Sequence, residues 1–462
     1  MIRFQELADK SNYERVSIAS EFYDRGDSAN CEKVISYILD SDSINPGALG
    51  ILGAMYISQD RYGMAEMVYR YGVALYPELK SMWIGLGTSI RNPERSKEAI
   101  TILGDMLVDS PESTAALTNL ASMYIEIGDY KKAIELAEKA LSIKEDDGNS
   151  TAATDIVALA SLGLEDFEKG FRLNRESLGL KFRKEIVYGD EERWEGEKDK
   201  IVVIYGEQGL GDEIFYGSVI PDAIKDCKKV IIDCDPRLEG LFKRSFPDAF
   251  VYGTRRKSAS WLYSHEWDAR CAVADLPAFY RKKIEDFPGK PFLKADPVRM
   301  EQWKETFGNK RKIGIAFRGG SKFTNRKLRT VPLEAFEPLR EHGDLVSLEY
   351  SDFDYGDFEI ERYDWATQSV DYDNVAALVS QLDYVVTSCT SIVHLAGALG
   401  IPCFVLRNKY YAWRYANDMP WYDSVRIIHC DGDWEEGMKE VIRLIAVSYT
   451  HLRAHETVLD LV

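Results

Sequence analysis

The chain has 462 residues, 45% of them apolar and 29% charged, with 58 Lys and Arg against 76 Asp and Glu, a formal net charge of −18. Such a length holds about two to four domains with ample core, and the acidic balance argues against bare nucleic acid as the main partner. Seven cysteines, at 31, 227, 234, 271, 389, 403 and 430, include no CxxC pair, so neither a disulfide framework nor a zinc ribbon is expected. The polar start MIRFQELADKSNYER predicts no export signal, and the lack of an 18-residue apolar run predicts no membrane span. A cytoplasmic location is expected.

A period of 34 runs through the first 180 residues. Ile18, Leu52, Leu86 and Leu120 are each 34 apart, as are Ala19, Gly53, Gly87 and Ala121. Phe22, Tyr56, Ile90 and Tyr124 continue the ladder, followed by Cys31, Ala65, Ala99 and Ala133. The pattern predicts two antiparallel helices per unit, with large residues filling the gap between helices and small ones allowing them to cross closely. Gly128-Asp129-Tyr130 reads as the turn inside one unit, and Pro77 and Pro111 as stops after the second helix. The segment 114–145 resembles a tetratricopeptide repeat, and GLEDFEKGF at 163–171 repeats the turn after a three-residue slip. An α-solenoid of four to five units over 1–180 is therefore expected, with a groove for a protein partner. Residues 1–180 carry 18 basic and 29 acidic side chains, so an acidic groove favouring a basic or neutral peptide is the expectation, with a merely solvated acidic face as the alternative.

A polar stretch, YGDEERWEGEKDK, reads as the end of a linker over 181–200. Short β-rich runs then alternate with helical stretches: IVVIY at 201–205, VIID at 230–233, KIGIAF at 312–317, LVSLEY at 345–350, DYVVT at 383–387 and CFVL at 403–406. Helices are predicted over 332–342 and 371–382. This alternation predicts parallel sheets. DFPGKPFLKADP (286–297) divides them into two Rossmann-like α/β domains, 201–297 and 298–446, with a cleft between.

Three loops follow predicted strands, where open α/β sheets place ligands. GEQGLGDE (206–213) has glycines for a tight turn, with Gly209 and Gly211 allowing close backbone approach, and it puts Asp212 near a helix start. There Asp212 suits a general base or a helix N-cap. The segment 318–329 holds five cations, among them Arg318, Lys322 and Arg329, and no acid, which suits an anionic ligand or a solvated basic loop. TSCTSIVHLAGALG (387–400) is a polar turn leading into a small-residue helix, where Ser388, Thr390 and Ser391 offer hydroxyls and backbone N–H groups to a diphosphate. His394, in the first turn of that helix, is a ligand contact or a packed core residue. A nucleophilic Cys389 has no base beside it in sequence. No GxxxxGK[ST] and no GxGxxG is present.

Trp194-Glu195-Gly196, EQGLGD ending at Asp212, HLAGALG from His394, Trp413-Arg414 and Pro420-Trp421-Tyr422 occur in the order seen in tetratricopeptide-repeat glycosyltransferases related to the lipopolysaccharide heptosyltransferases. The stretch from Trp194 to about Asp431 resembles that family. The resemblance implies a GT-B catalytic region of two Rossmann-like domains, and metal-independent, inverting transfer from a nucleotide sugar to a glycan or polypeptide hydroxyl. It implies Asp212 as the general base, Arg329 in the place of a phosphate-steadying lysine, and Thr390, Ser391 and His394 around the pyrophosphate. Cys389 stands where many relatives have aspartate. A scaffold whose transferase region only binds a nucleotide sugar or a protein is the alternative. Residues 447–462, with His451 and His455 at helical spacing, read as foreign to the domain and lack a third metal ligand.

Overall fold

The computed structural model describes residues 7–90, 95–143, 149–179, 183–255, 260–319, 329–408, 411–430 and 432–459. They form two compact units, Met1–Ala160 and Ser161–Val462.

The first unit is built from paired helices. Asn12–Asp24 pairs with Ser28–Ser41, Pro46–Ser58 with Tyr62–Leu75, Lys80–Ser89 with Ser96–Asp109, and Thr114–Glu126 with Tyr130–Ser142. Side-chain caps recur at some, though not all, of the equivalent positions, being absent at Arg61, Leu79 and Arg95. Ser11, Asn45 and Ser113 each accept from the backbone two or three residues into a first helix; Asp27 and Asp129 do the same for second helices. The described turns inside pairs each hold one left-handed residue, at Gly26, Asp60 and Gly128 and, after the three-residue slip, at Glu165. Cys31, Ala65, Ala99 and Ala133 are fully buried at the crossing points. A methyl group added at Gly53 would lie 2.5 Å from the Tyr69 ring, and one at Gly87 2.6 Å from Leu103, so the helices cross closely only because these side chains are absent.

The second unit contains two five-stranded sheets. In the first, β1 (Glu192–Arg193), β2 (Ile201–Tyr205), β3 (Lys229–Asp233), β4 (Phe250–Tyr252) and β5 (Ala269–Ala272) run in the order β1-β5-β2-β3-β4. In the second, β6 (Lys312–Ala316), β7 (Asp344–Ser347), β8 (Tyr384–Thr387), β9 (Cys403–Arg407) and β10 (Val425–His429) run in the order β10-β9-β8-β6-β7. Every pairing in both sheets is parallel. Strands with continuous apolar runs are readable from the sequence. The short β1, β4 and β5 and the edge strand β10 are not, because β5 carries a buried Arg270 and β10 mixes buried and exposed residues without a regular period. Tyr372–Val379 is helical as expected, whereas Leu333–Glu341 winds as a 3₁₀ helix around Pro338, whose ring nitrogen has no hydrogen to donate.

Two expected boundaries are corrected and a third is qualified. The solenoid reading placed 161–180 with the repeats, but the helix Phe167–Glu176 belongs to the sheet unit, because Phe167 and Phe171 are buried in its core beside Trp421. The stretch 181–200 is not a free linker, since it supplies β1, a 1% exposed Trp194 and a buried Arg183. The divide near 297 does fall between the two sheets, and one apolar cluster lies wholly beyond it, but a larger cluster takes residues from both sides, and the Phe292 and Leu293 N–H groups both donate to the Ala398 carbonyl at 3.0 Å. At the C-terminal end, one helix, Trp434–Leu459, runs through the expected break at 447. The seven cysteines are buried free thiols, and no described helix is long and apolar enough to cross a membrane.

Candidate functional site

In each sheet the chain builds outward to one side and then returns to the other, which leaves a crevice at the carboxyl ends of the two strands flanking the switch. In the first sheet these strands are β2 and β5; in the second they are β6 and β8. The loops picked out from the sequence are the ones leaving β2, β6 and β8.

After β2, Gly209 caps the helix Leu210–Gly217 and its N–H donates to Asp212 Oδ2 at 3.1 Å. The N-cap reading of Asp212 is corrected: Gly209 is the cap, and Asp212, the third residue of the helix, spends one carboxylate oxygen on the Gly209 N–H. The other, Oδ1, receives Arg414 Nη1 at 2.8 Å, across 202 residues of sequence. Gly211 faces the start of the helix Ser391–Leu399, and a Cβ there would meet Ser391 Cβ at 2.9 Å. The β2 and β8 loops therefore touch, and glycine is what lets them.

After β8, the hydroxyls are largely committed to the turn. Thr390 Oγ1 accepts from the Ile392 N–H at 3.2 Å and lies 3.0 Å from Thr387 Oγ1, while Ser388 Oγ donates to the Phe317 carbonyl at 3.4 Å. His394 is 3% exposed, with Nε2 3.2 Å from the Tyr415 hydroxyl and Nδ1 3.5 Å from that of Tyr422. Burial, aided by the charge of Arg414, holds its pKa well below the usual histidine value, so the ring is neutral. Of its two sequence readings, the packed core residue fits this setting; a phosphate contact through His394 does not.

Arg318 is also corrected as a ligand contact. Its Nε donates to Glu349 Oε2 at 2.8 Å, its Nη2 to the Ser351 carbonyl at 2.6 Å, and its guanidinium lies 4.9 Å from the Phe353 ring. It is anchored beyond β7. Lys322 lies outside the described residues. Arg329 packs beside Gly319, and its buried Nε has no hydrogen-bond partner among the described residues. Burial pushes the Cys389 thiol up to about 11 against the opposing charges of Arg329, Arg407 and Arg414, which rules out a resting thiolate. Arg407 is spent on the carbonyls of Tyr415 and Ala416, at 3.1 and 3.0 Å, and on His429.

Nothing in the sequence pattern pointed to the ion cluster at the β2/β5 switch. Arg183 Nη2 lies 2.7 Å from both Glu207 and Asp275, and Arg193 reaches Asp275 at 3.1 Å. Nearby, burial raises the Glu213 carboxyl to about 8 although Arg255 stands 2.6 Å away. Arg414 was visible within the Trp413-Arg414 motif, but nothing local tied it to Asp212.

In the repeat unit, the first helices of the first three pairs enclose a groove of about 610 Å³. None of its eleven lining residues is charged; Val16, Ile51 and Met82 alternate with Gly47, Gly50 and three serines. The expected acidic groove is corrected: the negative charge of this unit lies elsewhere, and the groove suits an uncharged chain.

A tetratricopeptide-repeat family model matches residues 116–151. The chain is 27% identical over 420 residues to Protein FlbA of Caulobacter vibrioides, covering 83% of this chain and 70% of that protein. It is 34% identical over 94 residues to a peroxisomal targeting signal receptor of Kluyveromyces lactis, a match that spans 20% of this chain and 17% of the receptor. Among solved structures, a thermophilic tetratricopeptide-repeat protein of Thermus thermophilus aligns at 15% identity and TM-score 0.33, covering 36% of this chain and 90% of that one. The type IV pilus biogenesis factor PilW aligns at 14% identity and TM-score 0.34, covering 47% and 88%. The chain thus contains tetratricopeptide-type repeats, followed by a parallel-sheet α/β region.

Proposed function

We propose that this protein is an inverting, metal-independent glycosyltransferase of the GT-B type, which moves a sugar from a nucleoside-diphosphate sugar to a hydroxyl of a glycan or polypeptide recruited by the repeats. The observation that carries this reading is the contact of the β2 and β8 loops at Gly211 and Ser391, which sets the Asp212 carboxylate beside a helix start. In the proposed reaction Asp212 removes the acceptor's proton, the acceptor oxygen attacks the anomeric carbon, and the bond to the diphosphate breaks with inversion. The diphosphate's charge falls to Arg329 and to the backbone N–H groups of the β8 turn, so no divalent ion is required. The uncharged groove supports recruitment of a neutral peptide segment, and the likeness of part of the chain to targeting-signal receptors supports a partner role.

The test is a thermal-shift panel of nucleotide sugars and free nucleotides on the full chain, followed by transfer assays with the donor that binds. A ligand at 100 times its Kd stabilises a fold by about 2.7 kcal/mol. Asp212→Asn is expected to abolish transfer while nucleotide-sugar binding persists; unchanged turnover would sink the general-base role. A second reading, a non-catalytic scaffold, draws on the occupation of both Asp212 oxygens and on Cys389. It predicts peptide capture by the repeats with no turnover of any donor.

A further inference from the structure

We infer that Arg414 is an exchange residue, pairing either with Asp212 or with a bound diphosphate, so that the anionic ligand itself releases the Asp212 carboxylate for use. The inference rests on reading this site as a diphosphate site. Three features of the arginine's setting lead to it. The guanidinium lies 4.7 Å from the Phe215 ring centre and 5.9 Å from that of Trp413, so it is held between aromatic neighbours while Nη1 contacts Asp212. Its Nε is buried and has no hydrogen-bond partner among the described residues. A guanidinium presents a planar fork of five N–H donors suited to two oxygens at once, and one carboxylate oxygen leaves that capacity unfilled. The second cation points the same way: Arg329 also has a buried Nε with no partner among the described residues, and its charge and that of Arg414 both act on Cys389 and Tyr415. Two under-used guanidinium groups thus flank the turn that precedes Ser391.

Transfer of Arg414 to the ligand's phosphate oxygens would free Asp212 Oδ1 to meet an acceptor hydroxyl when a diphosphate is in place. Because Asp212 and the ligand compete for one cation, removing the carboxylate's charge must help the ligand.

The experiment is titration calorimetry of inorganic pyrophosphate into the full-length protein at fixed ionic strength, for the parent, Asp212→Asn, Arg414→Lys, Arg414→Gln and the double variant Asp212→Asn/Arg414→Gln. Asp212→Asn is expected to tighten pyrophosphate by about 5- to 50-fold, the usual span of a site-to-site coupling. Arg414→Gln should weaken it by about tenfold or more, Arg414→Lys by less, and Asp212→Asn should give no gain in the Arg414→Gln background. Melting curves identify any variant that fails to fold, and Arg414→Lys then carries the comparison because it keeps the cation. Unchanged or weaker pyrophosphate binding in Asp212→Asn overturns the exchange, as does a gain that survives without Arg414 or an absence of pyrophosphate binding altogether. If nucleotide sugars bind but Asp212→Asn does not tighten pyrophosphate, the exchange falls and the donor reading stands. If pyrophosphate follows the expected pattern and no nucleotide sugar binds, the exchange stands and glycosyl transfer falls.

Discussion

In the repeat unit, ion pairs sit at the surface: Arg95 and Arg70 bridge Glu66 and Glu98 on neighbouring second helices, with side chains 18 to 48% exposed. In the sheet unit, Arg183, Glu207 and Asp275 form a cluster whose side chains are at most 6% exposed, and a largely buried Arg414 meets Asp212. The repeat unit keeps charge off its groove and out of its helix crossings, where small residues do the packing. The sheet unit takes charge inward, at the carboxyl ends of β2 and β5, and must pair what it buries. Stability in the first region therefore depends on shape, and in the second on complete pairing.

Breaking the buried cluster is expected to have the largest effect. Asp275→Ala removes a carboxylate partner from Arg183, which keeps Glu207, and from Arg193; losing charge-assisted hydrogen bonds of this kind costs about 1.5–3 kcal/mol each. Denaturant unfolding followed by tryptophan fluorescence checks this, and a loss under about 1 kcal/mol would show that water reaches the cluster. Next comes Gly53→Val, whose side chain collides with the Tyr69 ring; overpacking of this kind costs about 1–3 kcal/mol. Hydrogen exchange should show the loss in residues 46–75 with the sheet strands unaffected, and uniform deprotection would contradict the division into two units.

The smallest effect concerns Glu66. Hydrogen bonds from Arg95 and then Arg70, working against burial, hold its carboxyl down to about 2. A carboxyl whose pKa is lowered in the folded state contributes stability at pH values above its unfolded pKa of about 4.3 and loses that contribution as pH falls toward 2. Glu66→Gln should therefore lower the melting temperature at pH 7, by about 0.5 kcal/mol in stability for so exposed a network, and match the parent near pH 2. A difference that persists at pH 2 would point to packing instead of charge.

Legibility followed the range of the contacts. The repeat helices and the Gly128-Asp129 turn were readable because their packing and turn residues lie a few positions apart and recur with the period, whereas the capping residues, absent at Arg61 and Arg95, were not. The β2, β6 and β8 loops were readable because an apolar strand running into glycines or small polar residues is a local pattern. Arg183 with Asp275, and Arg414 with Asp212, are 92 and 202 residues apart and leave no trace in spacing. Arg318 misled because a cation next to a glycine-rich loop looks available, while the acid that claims it, Glu349, lies a strand away.

The helix Phe167–Glu176 repeats the cap and turn of the array, with Asp166 and Glu165 in the places of Asp129 and Gly128, yet its aromatic face is part of the sheet unit's interior. The repeat pattern and the folded units therefore divide this chain at different points. A recombination event or a protease that respected the repeat boundary would leave Phe167 and Phe171 on the wrong fragment and strand the tryptophans that surround them. Any transplantation of the sheet half into another protein has to carry that last piece of the array with it.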